Sequence, residues 1–131
     1  MLARPGLYDA AMAPQARLHG IPNCDTVKKA RAWLQGRGVA HEFVDFKKTP
    51  PDAALLAAWA RAVGVERLLN RKGTTWRALG DAAQAAAGSE AGALALMAAQ
   101  PSVIKRPVVQ WPDGALTVGF DEADWSGRLG R

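Results

Sequence analysis

The sequence predicts one α/β domain with a mixed four-stranded sheet and a helical insertion between the second and third strands. A strand, helix, strand pattern covers residues 17–46, an alanine-rich helical stretch covers about 52–100, and two strands and a helix follow. The chain has 131 residues, which fits the usual domain size of roughly 100–200 residues. We therefore predict a single domain over residues 17–131.

Residues 1–16 are predicted to be a flexible N-terminal extension, because they contain Pro5, Gly6 and Pro14 and lack the apolar segment of a signal peptide. Met12 is a second candidate for the natural first residue.

No apolar run approaches the ~20 residues that cross a bilayer. With 49% hydrophobic and 22% charged residues, the composition is that of a globular protein. Membrane-spanning and disordered classes are thereby excluded.

Charge and cysteine content narrow the expected partners and compartment. Lysine and arginine number 17 against 12 aspartates and glutamates, a net charge of +5. Because the basic residues are scattered, as on an ordinary solvated surface, nucleic acid is not expected as a partner, whereas anionic small molecules are suitable. Cys24 is the only cysteine, which excludes an intramolecular disulfide. We expect a cytoplasmic protein.

The first strand is predicted over residues 17–21, ending at the turn residues Pro22 and Asn23. A helix follows, with apolar residues at helical spacing and glycines at its end: Val27, Ala30, Leu34, Gly36 and Gly38. Residues 41–46 are rich in β-forming residues and predict the second strand.

The insertion is predicted to begin with Thr49 as a capping residue and Pro50 in the first helical position. This helix has apolar residues at every fourth position and ends near a glycine: Leu55, Trp59, Val63 and Gly64. Helices over 66–69, 75–79, 81–87 and 89–99 complete the insertion, and Pro101 terminates it.

A hairpin and a helix are predicted to complete the domain. Turn residues 111–114 separate a strand over 108–110 from one over 116–120, in which apolar residues alternate, so the two strands are expected to be antiparallel. A short strand at 103–104 is predicted before them, and a terminal helix begins in residues 121–124.

Cys24 is the principal candidate for chemistry. It lies at the predicted start of a helix, where free amides and the helix dipole place roughly half a positive charge. Lys28, one turn further on, adds a positive charge, while the adjacent carboxylate of Asp25 opposes it. Both positive features stabilise the thiolate, which is the nucleophilic form. The alternative is an inert buried cysteine, but the position after Pro22 and Asn23 favours a nucleophile.

The order of elements, with a cysteine at the first helix, is typical of a thioredoxin-like domain with a helical insertion. Three segments of the chain are distinctive: 20–31 (GIPNCDTVKKAR), 68–77 (LLNRKGTTWR) and 104–107 (IKRP). Through these segments the chain resembles the ArsC/Spx superfamily over about residues 17–125, and it is most similar to the YffB-like group of that superfamily. The resemblance implies a thioredoxin-like fold and Cys24 as the nucleophile. It also implies Arg106 as an anion-binding arginine and Pro107 as a cis-proline.

The candidate anion-binding set comprises Arg106, Asn23, Lys28, Arg71 and Lys72. Either Arg71 or Lys72 could supply the charge at the family's loop position. Arsenate reductases of this superfamily carry a histidine four residues before the nucleophile, where this chain has Gly20, and His19 is displaced to the other face of the strand. They also carry an arginine where this chain has Val118 and Gly119. These differences weaken the prediction of arsenate reduction.

We predict a glutathione-dependent thiol–disulfide reductase with a single nucleophilic cysteine. Because Val27 occupies the position of a second cysteine, an external thiol must resolve a mixed disulfide on Cys24. Glutathione is the expected co-substrate, glutaredoxin is a further candidate partner, and no bound cofactor is expected. A metal site is not expected from His19, His41 and one cysteine. The alternatives are an arsenate reductase linked to glutathione or glutaredoxin, and an Spx-like regulator that binds RNA polymerase.

Overall fold

A computed structural model describes residues 15–129, and in these residues the sheet is four-stranded with the order β2-β1-β3-β4. The strands are β1 (Ala16–Gly20), β2 (His41–Asp45), β3 (Val108–Gln110) and β4 (Leu116–Val118). β1 is parallel to β2 and antiparallel to β3, and β3 is antiparallel to β4. The predicted mixed sheet and hairpin are confirmed.

Residues 1–14 of the predicted N-terminal extension lie outside the described part of the chain. The boundary at residue 16 is wrong, because Ala16 is the first residue of β1 and is buried. Its amide and carbonyl belong to a strand that pairs with β2, where Ala16 lies opposite His41.

The helices follow the predicted order, with ends that differ from the prediction by a few residues. They are α1 (Asp25–Gly36), α2 (Ala53–Val63), α3 (Val65–Leu68), α4 (Thr74–Ala78), α5 (Asp81–Ala86), α6 (Glu90–Ala99) and α7 (Glu122–Leu129). The thioredoxin-like arrangement therefore holds, with α2–α6 inserted between β2 and β3. No helix in residues 15–129 has the length and apolarity needed to cross a membrane.

The sheet separates two apolar layers, because successive strand residues point to opposite faces. The α1 core contains Ala16, Leu18, Val27, Ala30, Leu34, Val109, Trp111 and Trp125. The insertion core contains Phe46, Leu56, Trp59, Ala60, Leu68, Leu69, Ala87, Ala93, Met97, Val103, Ile104 and Val108. The predicted helical spacing of the apolar residues in α1 is thus explained by one buried stripe.

Helix α2 begins later than predicted. Asp52 is its N-cap residue, and the Asp52 Oδ1 accepts a hydrogen bond from the Leu55 amide at 2.8 Å. Thr49 instead belongs to the turn after β2, where its amide donates to the Asp45 carbonyl at 2.8 Å. The prediction of Thr49 as the cap was therefore wrong. The buried face of α2 also differs in part from the predicted one, since it contains Leu56, Trp59 and Ala60.

The short strand predicted at residues 103–104 is not formed. Residues 101–103 form a 3₁₀ turn, and Ile104 makes an isolated bridge with Leu69. Two backbone hydrogen bonds of 2.7 Å, from the Asn70 amide to Val103 and from the Lys105 amide to Leu68, hold this segment against the end of α3. The insertion thereby fixes the position of the segment that contains Arg106.

The last strand ends at residue 118 rather than 120. Gly119 has φ +87°, a backbone conformation that favours glycine and does not continue a strand. Its amide donates to the Pro107 carbonyl at 2.8 Å. The end of β4 is therefore held close to the segment that precedes β3.

Candidate functional site

Cys24 lies between β1 and α1, at the carboxyl end of the first strand. It is the N-cap residue of α1, with extended backbone (φ −135°, ψ 123°), and its carbonyl accepts the Lys28 amide at 2.9 Å. The side chain is half-buried and packs against the α1 core. The predicted position of the thiol at the start of the helix is thus observed.

The surroundings of Cys24 lower the pKa of its thiol below the ordinary value. Partial burial has the largest individual effect and raises the pKa. The Val27 amide, the Arg106 guanidinium (as a hydrogen-bond donor and as a positive charge) and the Thr26 amide each lower it, and together they outweigh burial. Because first-turn amides lack partners within the helix, they are free to donate to the sulfur. These donors stabilise the thiolate.

Arg106 is held in place by the segment that precedes it. Its Nη1 donates to the Ser102 carbonyl at 2.8 Å, and its buried Nε has no hydrogen-bond partner among the described residues. The peptide bond between Arg106 and Pro107 is cis, as the resemblance implies. Sequence reasoning missed Ser102, because an orienting backbone carbonyl has no residue-type signature.

Asn23 and Lys28 flank Cys24 in the chain, and both are exposed. Within residues 15–129, neither side chain is recorded in a hydrogen bond with Cys24, and the charge of Lys28 is not among the influences on the Cys24 pKa. The contribution of Lys28 to the thiolate therefore stays a prediction. Of the predicted site residues, the structure brings Arg106 and Cys24 together directly.

The structure distinguishes Arg71 from Lys72. Arg71 Nη2 forms an ion pair with Glu66 Oε2 at 3.0 Å, and its guanidinium lies 5.0 Å from the centre of the Trp76 ring. Lys72 is exposed, and the structure shows no ion pair for its ammonium with any described residue. The charge of Arg71 is therefore already paired, whereas Lys72 keeps an unpaired ammonium within residues 15–129.

The strand before Cys24 ends in a glycine, Gly20, that packs tightly against α1. Gly20 faces Val27 so closely that a side chain has no room in this packing. His19 lies on the opposite face, as predicted: it is buried, its Nε2 is 2.8 Å from Gln110 Oε1, and its ring centre is 4.8 Å from that of Trp59. His19 is thus part of the insertion side of the sheet rather than of the thiol site.

Metal ligands are not grouped in the described part of the chain. Within residues 15–129, no set of three or more histidine, cysteine, aspartate or glutamate side chains is arranged to hold a metal ion. Cys24 is a thiol with a lowered pKa beside a guanidinium, an arrangement that suits nucleophilic attack on sulfur and recognition of an anion.

Two solved structures are similar to this chain. One, named YffB, is 43% identical with a TM-score of 0.83, and the match covers 88% of this chain and 99% of that one. The other, an arsenate reductase (ArsC) related protein from Brucella melitensis, is 42% identical with a TM-score of 0.71, covering 91% of this chain and 98% of that one. Both support the thioredoxin-like fold, and the first supports the YffB-like group.

Sequence comparison leads to the same group of proteins. An uncharacterized protein from Haemophilus influenzae is 34% identical over 108 residues, which are 82% of this chain and 93% of that protein. The ArsC family matches residues 19–127, a range that contains both Cys24 and Arg106. On this evidence the chain belongs to the ArsC family.

Proposed function

We propose that the protein is a thiol–disulfide reductase that uses Cys24 as its single nucleophile and glutathione as its co-substrate. The observation that carries this proposal is the Cys24 thiol, whose pKa is lowered by first-turn amides and Arg106 against the effect of burial. ArsC-family proteins are oxidoreductases, which supports redox chemistry at this thiol. Glutathione is abundant in reducing compartments, and we propose the cytoplasm as the site of action.

The reaction begins when the Cys24 thiolate attacks the glutathione sulfur of a mixed disulfide between a substrate and glutathione. A bond forms between Cys24 and glutathione, the original disulfide bond breaks, and the substrate leaves as a thiolate that takes a proton from water. A second glutathione thiolate then attacks the glutathione sulfur bound to Cys24. Oxidised glutathione leaves, the Cys24 thiolate is restored, and the substrate has been reduced by two electrons.

An external thiol is required in the second step because the chain has one cysteine. Val27, three residues after Cys24, is buried in the α1 core and supplies only its backbone amide. Glutathione is one such thiol, and a glutaredoxin is another. This monothiol route follows from the residue content and does not require a second copy of the chain.

Arg106 has two roles in the proposal. Its positive charge stabilises the attacking thiolate, and its fork of N–H donors suits a carboxylate of glutathione. Asn23, Lys28 and Lys72 are exposed, and we propose that they surround the bound anion. Arg71 is left out of this set, because Glu66 already pairs with it.

The test measures adduct formation and turnover separately. Incubation with oxidised glutathione, followed by intact mass measurement, should show one glutathione on the wild-type chain and none on Cys24→Ser. Reduction of bis(2-hydroxyethyl) disulfide by glutathione, coupled to glutathione reductase, should then be accelerated by the wild type and not by Cys24→Ser. Turnover by Cys24→Ser, or a wild type that forms no adduct and has no activity, would contradict the proposal.

The same assays separate the two alternatives. Arsenate in place of the disulfide should give little turnover, because Gly20 stands where arsenate reductases carry a histidine, and Val118 and Gly119 stand where they carry an arginine. Faster turnover with arsenate than with the disulfide would favour the arsenate reductase over the thiol–disulfide reductase. Binding to the RNA polymerase α subunit by a chain without reductase activity would instead favour the Spx-like regulator.

A further inference from the structure

A cavity lies on the opposite sheet face from α1, between β1, β2 and the start of α2. Its volume is about 620 Å³, within the roughly 300–1,000 Å³ typical of small-molecule sites. His19 and Val44 of the sheet line it, and residues 48–52 form another wall. Neither Cys24 nor Arg106 is among its lining residues, so it is separate from the thiol site.

His19, which lines this cavity, has one ring nitrogen that can accept a hydrogen bond. Its Nε2 is 2.8 Å from Gln110 Oε1, and because an amide oxygen only accepts, Nε2 carries the proton of the neutral ring. Burial, the largest effect, lowers the pKa of His19, which favours the neutral ring at neutral pH. Nδ1 then presents a lone pair, and the structure shows no partner for it among the described residues. A ligand with an N–H group can supply the missing donor.

The charges that line the cavity include both signs. Arg17 and Glu42 pair with each other at 2.9 Å, and Asp45 and Asp52 each accept one backbone amide hydrogen bond, at 2.9 and 2.8 Å. Lys48 is exposed and forms no ion pair with a described residue. Carboxylates thus outnumber cations in the lining, while one ammonium is unpaired. This combination matches a ligand that carries a positive and a negative group together.

The walls between these polar groups are apolar. Val44 and Leu55 contribute aliphatic side chains, and Pro22, Pro50 and Pro51 contribute rings without amide donors. We propose that the cavity binds a small zwitterion, an α-amino acid with an apolar side chain. Its ammonium faces the carboxylates and donates to His19 Nδ1, its carboxylate pairs with Lys48, and its side chain contacts Val44 and Leu55.

L-Phenylalanine is a suitable probe, with two analogues that each lack one charge. In titrations of the ¹⁵N-labelled full chain, phenylalanine should cause saturable shifts of amide signals in residues 42–55. 3-Phenylpropionate, which lacks the ammonium, and phenethylamine, which lacks the carboxylate, should each bind about tenfold more weakly, as expected for loss of one charged hydrogen bond.

Lys48→Gln should also weaken phenylalanine binding about tenfold. Lys47→Gln is the matched control, because it removes the same charge from an exposed neighbour that does not line the cavity. Cys24→Ser should bind phenylalanine as the wild type does, which makes this result independent of the proposed reductase function.

Three results would overturn the zwitterion site. One is the absence of saturable shifts up to about 10 mM, above the range in which ligands this small bind specifically. Another is equal weakening by Lys47→Gln and Lys48→Gln. The third is a set of shifts centred on Cys24 and residues 104–107, which would place the probe at the thiol site instead.

Discussion

Gly20 and Val27 meet at the junction of β1 and α1 with no space for a side chain between them. A Cβ at residue 20 would lie 2.8 Å from Val27 Cγ2, well inside the roughly 3.5–4.0 Å optimum for two carbons. Val27 is fully buried and β-branched, so its side chain cannot turn away easily. This close contact sets the start of α1, and with it Cys24, against the end of β1.

Gly20→Ala should therefore destabilise the protein. We expect the free energy of unfolding to fall by about 1–3 kcal/mol, the usual cost of overpacking a core, measured by urea denaturation. In a Val27→Ala background the same substitution should cost clearly less, because the clashing methyl groups are gone.

Gly36→Ala is the control for this prediction. Apart from its two chain neighbours and the backbone of its own helix, no described atom lies within 4 Å of a Cβ at residue 36, which is the last residue of α1. Alanine there should leave stability unchanged or raise it by up to about 1 kcal/mol, through its higher helix propensity. If Gly20→Ala costs as much stability in the Val27→Ala background as in the wild type, the contact between residues 20 and 27 is not the cause of the loss.

Arg106→Ala should raise the pKa of the Cys24 thiol, because burial would remain while a hydrogen-bond donor and a positive charge are lost. The rate of iodoacetamide alkylation against pH measures this pKa, since the thiolate is the reacting form. The alkylation rate of the variant near neutral pH should accordingly fall. Lys105→Ala, which removes an exposed neighbouring charge, should keep the wild-type profile. An unchanged profile for Arg106→Ala would place its charge away from the sulfur.

His19 should make stability depend on pH. Burial, the largest effect, lowers the pKa of His19 in the folded protein below its ordinary value of 6.5, although the hydrogen bond with Gln110 raises it. The unfolded chain then binds the proton more readily, so this contribution to stability is complete above about pH 6.5 and is lost as pH falls from there towards the folded pKa.

Urea denaturation at several pH values between about 5 and 8 measures this loss. His19→Gln should remove the part of the slope that His19 causes, at some cost in stability at every pH. The comparison variant His41→Gln keeps His19 and should retain that part. If His19→Gln keeps the full dependence of stability on pH, groups other than His19 cause that dependence.

Asp52→Ala should lower the free energy of unfolding by about 1 kcal/mol, because the Leu55 amide loses the carboxylate that accepts its hydrogen bond. Thr49→Ala should change it by less than about 0.5 kcal/mol, since the structure shows no hydrogen bond from the Thr49 side chain to a described residue. Thermal denaturation of both variants checks the pair. A larger loss for Thr49→Ala would restore Thr49 as the cap.

The sequence alone determined the order of the elements and the position of the thiol. Val27, Ala30 and Leu34 recur with helical spacing, and the chain between Asn23 and Gly36 has no other way to bury them on one face. The first helix, and Cys24 at its start, therefore followed from residues within a few positions of one another.

The tertiary structure decided which of the candidate residues act on that thiol. Arg106, far from Cys24 in the chain, lowers the thiol pKa because backbone hydrogen bonds hold its segment against α3. Arg71 pairs with Glu66, a contact that spacing alone did not predict. Spacing along a chain predicts neighbours within one element, but contacts between elements depend on how their buried faces pack.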